Sequence, residues 1–304
     1  MRALIFTALL ACAAGCAARL SNHPVTPANL GAPVTRAQML SALQGAGVGD
    51  VEKVIVADWR WSEDFATPGI EPPDWRSQPL DGQVYMYVLR HPAHGLYLID
   101  AGLPADAARH LGLVVRRAFA IDETFRLRQS TADSLSGETP RGVFLTHLHW
   151  DHVLGLRDLP HEMPIFVGPQ DGDQRHFLLR FIAPATRRAL AGRPALQEWR
   201  FAPAPDGLSI VDVFGDGWLF AIHAPGHTPG STAYVVNAAS GAHLMTGDAI
   251  HTAAGWRGDR VEYITFDPDR PRAWRTLAAL QDIAAAIPGI TVHPGHQQLA
   301  PPPR

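Results

Sequence analysis

The sequence predicts a protein of the α/β (α+β) class: two β-sheets with helices outside them. Three observations lead there. Apolar strand-like runs occur both early and late in the chain, stretches of helical spacing lie between and after them, and no repeat, low-complexity tract or break in composition divides residues 51–296. With 304 residues and 46% hydrophobic side chains, the chain can bury a large core.

The N-terminal residues stand apart from this domain. Arg2 precedes the apolar run 3-ALIFTALLACAAG-15 and then small residues, the pattern of an export signal, and the run is too short to span a bilayer comfortably as a helix. Both cysteines, Cys12 and Cys16, fall in this segment, so the remaining chain has no disulfide and no thiolate ligand, and a metal site there must use nitrogen and oxygen. Two processing readings stand side by side. The stretch 13-AAGC-16 resembles a bacterial lipobox, with Cys16 lipidated as a membrane anchor, although Ala13 departs from the usual leucine; the other reading is an ordinary cut after 15-GCA-17. Both predict an exported, periplasmic protein, held on the outer membrane as a lipoprotein in the first case. Residues 1–20 are assigned to this signal, 21–50 to a linker with one short helix near 35-TRAQMLSAL-43, and 51–304 to the globular domain.

That domain opens with strand-like runs at 51-VEKVIVA-57, 82-GQVYMYVLR-90 and 95-GLYLID-100, the last two joined by the turn 91-HPAH-94 as an antiparallel hairpin. Helical spacing follows over 104–118 and 122–134, then the apolar strands 142-GVFLT-146 and 164-PIFVG-168. Over 170–191, Phe177, Leu178, Phe181 and Ile182 fall on one helical side, and Pro184 is expected to kink or break the helix. Four strands, 208-LSIVDVF-214, 217-GWLFAIHA-224, 232-TAYVVN-237 and 242-AHLMTG-247, are punctuated by Gly and Asn. A helix over 270–287 carries Trp274, Leu277, Leu280, Ile283 and Ile287 at helical spacing and stops at 288-PG-289, before the strand 290-ITVH-293.

Charge narrows the partner. The 26 basic and 29 acidic side chains are interspersed, which leaves no electrostatic footprint for nucleic acid and favours a small-molecule substrate.

The chemistry is concentrated in 146-THLHWDH-152. At 15 His in 304 residues, an H-x-H-x-D-H hexapeptide arises by chance on the order of once in several hundred such chains. If the preceding strand continues, His147 and His149 point the same way toward one ion, while Asp151 and His152 turn toward a second. Further donors follow apolar runs beside Gly or Pro turns: His227 in 225-PGHTPGS-231, Asp248 in 246-TGDAIH-251 and His296 in 293-HPGH-296. Each alone reads as an ordinary surface residue. With the hexapeptide they make five His and two Asp, a donor set for a pair of zinc-like divalent ions with an open position for water.

The order and flanks of 146-THLHWDH-152, 226-GHTPGS-231, 247-GD-248 and 294-PGH-296 resemble the metallo-β-lactamase-fold hydrolases, over residues from about 51 to 300. The resemblance implies an αββα sandwich with the metals at one edge between the sheets. It implies that His147, His149 and His227 hold the first metal, that Asp151, His152 and His296 hold the second, and that Asp248 bridges both. Asp100, in 100-DAG-102, is implied to orient a ligand rather than bind metal. His293 competes with His296 for its role, and His223 is a further candidate for packing behind the ligands. Two ions sharing a water make hydroxide available near neutral pH, so no serine or cysteine nucleophile is needed.

Within the superfamily, 244-LMTGDAIH-251 with Trp256 and the helix after it is most similar to the lactonase-like branch that includes N-acyl homoserine lactonases. Those enzymes carry a tyrosine three residues after the bridging Asp, and this chain has His251, which could donate the same hydrogen bond or protonate the leaving alkoxide; a solvent-facing loop histidine is the competing reading. Asp151 and His251 are the candidate catalytic residues. A β-lactamase is expected to place Cys or Ser where Asp248 stands, and only 297-QQLAPPPR-304 follows His296, where glyoxalase-type thioesterases continue into a helical region. The expected reaction is metal-dependent attack on a lactone or related ester. Organophosphate triester or thioester hydrolysis is the alternative within hydrolases, and a mononuclear iron dioxygenase of the persulfide type is the alternative from another class. An apolar pocket wall is sought in 59-WRWSEDF-65, Phe177, Phe181 and Trp256, with plain core as the competing reading.

Overall fold

A computed structural model of the chain describes residues 18–61, 80–204, 208–258 and 270–299. Residues 1–17 of the expected export signal, with Cys12 and Cys16, and Phe65 of the expected pocket wall lie outside these residues, while Ala18–Arg19, at the end of that expected segment, form a strand.

Strand alternation builds the layers. In Leu80–His91, Val84, Met86 and Val88 face one way into a cluster with Val54, Val56, Leu179 and Ile182, while Tyr85, Tyr87 and Leu89 face the other way into a cluster with Tyr234, Val236 and Met245. In the second sheet, Leu219 and Ala221 join that inner cluster, while Phe220 and Ile222 meet Leu280 and Ile283 of the helix Arg270–Ala286 outside it. Three apolar clusters thus fill three gaps between layers, and the architecture is the expected αββα sandwich.

Among the described residues the first sheet has eight strands in the order Val25–Pro27, Leu196–Glu198, Ile165–Val167, Val143–Phe144, Gly95–Ile99, Leu80–His91, Asp50–Trp61 and Phe125–Leu127. The second has six: Thr291–His293, Gly241–Met245, Thr232–Ala238, Leu219–His223, Ile210–Asp212 and Ala32–Val34. Both are mixed. The hairpin read from 91-HPAH-94 is present, with Tyr87 opposite Ile99 and His91 opposite Gly95.

Four local expectations are corrected. The segment expected to be a tether lends an edge strand to each sheet, Val25–Pro27 beside Leu196–Glu198 and Ala32–Val34 beside Ile210–Asp212, before the expected helix at Arg36–Ala42. Its strands are too short and too exposed to show alternation. The helix expected over 104–118 is a 3-10 turn, Ala107–His110, and a short helix, Leu113–Ala118, separated at Gly112. Within 122–134 the chain forms the strand Phe125–Leu127 instead of a continuous helix, because Phe125 packs on Trp59 and Trp150 while Arg126 points outward. The helix expected from residue 170 begins only at Leu179, leaving Phe177 and Leu178 exposed, and it runs through Pro184 to Leu190 without a break. There its buried face of Leu179, Ile182, Ala183, Thr186 and Leu190 outweighs a proline penalty of about 3 kcal/mol.

Candidate metal centre

Four loops leave the C-terminal ends of Val143–Phe144, Leu219–His223, Gly241–Met245 and Thr291–His293 and bring the predicted donors together. The pleat does not set the first of them. The strand stops at Phe144, and His149 is the N-cap of a single helical turn, Trp150–Val153, that carries Asp151 and His152. Leu148 and Trp150 turn into the core of the first sheet, which leaves His147, His149, Asp151 and His152 directed at the other loops.

Ring nitrogens of His147, His149 and His227 lie within 4.8 Å of one another, as do the donor atoms of Asp151, His152 and His296 and those of His147, His152 and Asp248. Asp248 stands between the two sets. Its Oδ1 is 3.5 Å from His152 Nε2, and its Oδ2 is 3.8 Å from His147 Nε2, 3.5 Å from His227 Nε2 and 3.2 Å from His296 Nε2. His251 also reaches it, with Nε2 3.5 Å from Asp248 Oδ2 and its ring stacked on that of His296. At 16% side-chain exposure it is the most open member of the cluster.

The donor set fits divalent cations on two grounds. First, His147 Nε2, His152 Nε2 and Asp248 Oδ1 are buried without a hydrogen-bond partner, a costly arrangement unless such atoms share a cation. Second, the outward nitrogens are tied to acceptors: His152 Nδ1 lies 2.8 Å from Asp100 Oδ2, and His296 Nδ1 lies 2.8 Å from the Gln83 carbonyl oxygen. A carboxylate and a carbonyl can only accept, so both Nδ1 atoms carry protons and Nε2 is the nitrogen turned to the centre. Asp100 performs this role from a left-handed backbone conformation, φ 57°, and also accepts from the Thr146 N–H at 2.8 Å.

Burial pushes the His147 and His149 pKa values down; His152, His149 and His227 add to this at His147, while Asp248 opposes it. Burial also works against charge on His152, but Asp100, Asp248 and Asp151 outweigh it and raise its pKa well above 6.5. Burial alone would raise the Asp248 pKa, yet His296, His152 and His147 hold it well below 3.8. The metal-free cluster is therefore an anion among imidazoles, one of which must lose a proton before it can coordinate.

Other expectations sort out on position. His293 lies outside the cluster: its Nε2 is 3.1 Å from His243 Nδ1, its ring meets Tyr87, and burial followed by the Lys53 charge pushes its pKa down to about 3. His223 stacks on Phe201 with Nε2 3.1 Å from the Pro229 carbonyl, packing behind the 225–231 loop. Trp59 is wedged against Phe119, Phe125 and Trp150, in keeping with the core reading of that residue. Phe177 and Phe181 meet edge to face, with Phe177 exposed, and Trp256 packs on Ile250, Ala273 and Leu277.

Three participants escaped the sequence reading: the Gln83 carbonyl, Asp171 and Gln174. Asp171 accepts from the Leu148 N–H at 2.6 Å, the Gly230 N–H at 3.1 Å and the Thr228 hydroxyl, and so joins the hexapeptide loop to the His227 loop. Gln174 lies against both His149 and the His227 carbonyl. No sequence signal marks either residue as more than an isolated polar side chain.

A separate group, His91, His94 and Asp216, has metal-like spacing at the hairpin turn. His91 Nδ1 accepts the N–H groups of Ala93 and His94, each at 3.1 Å, so in the neutral ring Nε2 holds the proton and has no lone pair to offer.

Two glycines explain the motif flanks. A Cβ on Gly295 would stand 2.4 Å from Asp248 Oδ1 and 2.9 Å from the Gly247 carbonyl oxygen, and Gly247 itself has φ 51°. Gly295→Ala is therefore expected to push the Asp248 carboxylate out of register, lowering metal content and turnover together while far-UV circular dichroism stays native.

Residues 79–296 match the family described as the metallo-beta-lactamase superfamily. A curated relative, the N-acyl homoserine lactonase AttM of Azorhizobium caulinodans, is 27% identical over 211 residues, covering 67% of this chain and 79% of the relative. Among solved structures, a variant of AiiA from B. thuringiensis with N-decanoyl-L-homoserine bound at its active site aligns with a TM-score of 0.60 at 17% identity, covering 83% of this chain and 94% of the other. AidC, a dizinc quorum-quenching lactonase in complex with a product, aligns with a TM-score of 0.54 at 15% identity, covering 88% of this chain and 90% of the other. At these identities the structures show a shared fold.

Proposed function

From the premise that this chain belongs to the metallo-β-lactamase superfamily and is a hydrolase of that fold, we propose that it uses two divalent ions, zinc foremost, to open a lactone or related ester. The observation that carries this reading is the pair of donor sets meeting at Asp248: His147, His149 and His227 on one side, Asp151, His152 and His296 on the other. The lactonase names of the relatives favour a cyclic ester over other carbonyl substrates. When bound, the ions would supply Lewis acidity toward a carbonyl and lower the pKa of water.

The chain's own residues supply the rest. Burial keeps His147 and His149 neutral, as ligands must be, and the Asp100 and Gln83 oxygens hold the rings of His152 and His296 in place. His251 is the group assigned to give a proton to the alkoxide released when the acyl–oxygen bond breaks, a role supported by its partly open position 3.5 Å from Asp248 Oδ2. Asp151, 3.6 Å from both His152 Nε2 and His296 Nε2, serves as a ligand and as a neighbouring carboxylate at the reacting centre.

The test is metal quantitation on a chain beginning at Ala18, followed on the same sample by acyl lactones, thioesters and aryl phosphotriesters. Two zinc ions with lactone turnover are expected. One iron with oxygen consumption, or turnover confined to phosphotriesters, would replace the reading. His251→Phe is expected to lower lactone kcat by about 100-fold or more with zinc content unchanged, and to spare an aryl ester whose leaving group needs no proton. Export through the segment ending near Cys16 belongs to the same proposal; fractionation of cells expressing the full chain, with mass spectrometry of its N-terminus, separates a lipidated Cys16 from an ordinary cut.

A further inference from the structure

The structure assigns Gln174 as a positioning residue of the metal centre: its side-chain amide decides which nitrogen of His149 faces the ions. The assignment rests on the metal reading above and adds a residue that belongs to none of its donor sets. Gln174 is 6% exposed and stands between the 3-10 turn Asp171–Asp173 and the strand Arg175–His176. Its two amide atoms face different partners, Nε2 at 3.0 Å from the His227 carbonyl oxygen and Oε1 at 2.9 Å from His149 Nε2.

The orientation follows from hydrogen-bond logic. A carbonyl oxygen can only accept, so the NH2 end of the amide must face His227 and the oxygen end must face His149. An amide oxygen in turn accepts only, so His149 Nε2 must be the protonated nitrogen. Its Nδ1 is left with the lone pair, and Nδ1 is the atom that lies 2.9 Å from His227 Nε2. His149 thereby presents the opposite nitrogen to that of His152 and His296, whose Nδ1 atoms are held from behind. One buried amide thus sets the tautomer of one ligand of the first metal and anchors the backbone of another.

The backbone that carries this amide is itself held. The Gln174 carbonyl accepts the Leu20 N–H at 3.0 Å, the Gly172 carbonyl accepts the Ser21 N–H at 3.0 Å, and Ala18–Arg19 pairs antiparallel with Arg175–His176. Leu20 is fully buried, and Arg187 donates to its carbonyl at 3.1 Å. The first described strand of the chain therefore serves as the back wall of the Gln174 segment.

The test reads the His149 tautomer by nitrogen-15 NMR of the histidine-labelled, metal-free full chain, then zinc affinity by chelator competition. In the wild type His149 is expected as the Nε2–H form. Gln174→Leu is expected to lose that preference and to weaken one of two zinc ions by about 10- to 100-fold, while Gln174→Glu, which still accepts from Nε2–H, is expected to keep the tautomer. A wild-type His149 in the Nδ1–H form would overturn the assignment whether or not any variant folds. So would Gln174→Leu with tautomer and both zinc affinities unchanged and only the melting temperature lowered. A wild type with the expected tautomer that binds no zinc would instead sink the functional reading.

Discussion

Asp248→Asn is expected to leave at most one metal ion per chain and to cut lactone turnover by more than about 100-fold, beyond the range usual for residues that merely support ligands. The reason lies in how its two oxygens are used. Oδ1 is buried with no hydrogen-bond partner and lies 3.5 Å from His152 Nε2, and Oδ2 lies within 3.2 to 3.8 Å of nitrogens on His147, His227, His251 and His296. An amide replaces one of these oxygens with an NH2 group that can only donate, aimed at imidazoles that must keep their lone pairs for metal. It also removes the charge that the surrounding histidines hold ionised well below 3.8 despite burial. Metal per chain by mass spectrometry, turnover on the lactone panel and far-UV circular dichroism check the result; unchanged zinc and turnover would mean that Asp248 is not the shared ligand. In the wild type, zinc occupancy should fall as pH falls, because His152 has a raised pKa and protons compete for it from above 6.5 downward.

The parts of this centre that were legible in sequence are those written locally. His147, His149, Asp151 and His152 crowd into one short loop, and His227, Asp248 and His296 each sit beside a glycine at the end of an apolar run, so residue type and spacing bring them out. Of the fold, the strands were legible as local apolar runs such as 82–90, while their stacking into a sandwich was implied by the resemblance; the structure shows that Val84, Met86 and Val88 alternate with Tyr85, Tyr87 and Leu89 on two buried faces. What stayed hidden depends on tertiary approach. Asp171 and Gln174 gain meaning only when their segment reaches Leu148, His149 and His227, and the apolar spacing of Phe177, Leu178, Phe181 and Ile182 drew a helix over that segment. The competing strand pairing, Arg175–His176 with Ala18–Arg19, joins residues far apart in the chain and leaves no periodic trace. His293 and His296 were indistinguishable by type; the strand Thr291–His293 ends at the first and turns the second inward.

Asp171→Ala is the second large effect, on stability more than on chemistry. The Asp171 carboxylate is buried and accepts from the Leu148 and Gly230 N–H groups and from the Thr228 hydroxyl, joining two of the ligand-bearing loops. Truncation leaves two buried N–H groups without acceptors, each costing about 1–3 kcal/mol, so a loss of about 2–6 kcal/mol is expected in urea unfolding of the metal-free chain. The effect should depend on pH in a defined direction. Burial pushes the Asp171 pKa up to about 6, against the opposing pull of the bonds from Thr228, Leu148 and Gly230. A carboxyl whose folded pKa is raised binds protons more tightly in the fold than in the unfolded chain, so its contribution to stability is full below the unfolded value of 3.8 and shrinks as pH rises toward about 6. The gap between wild type and Asp171→Ala should therefore be wider at pH 4 than at pH 7. A gap that widens with pH would mean that the three hydrogen bonds outweigh burial and that the carboxylate is held ionised.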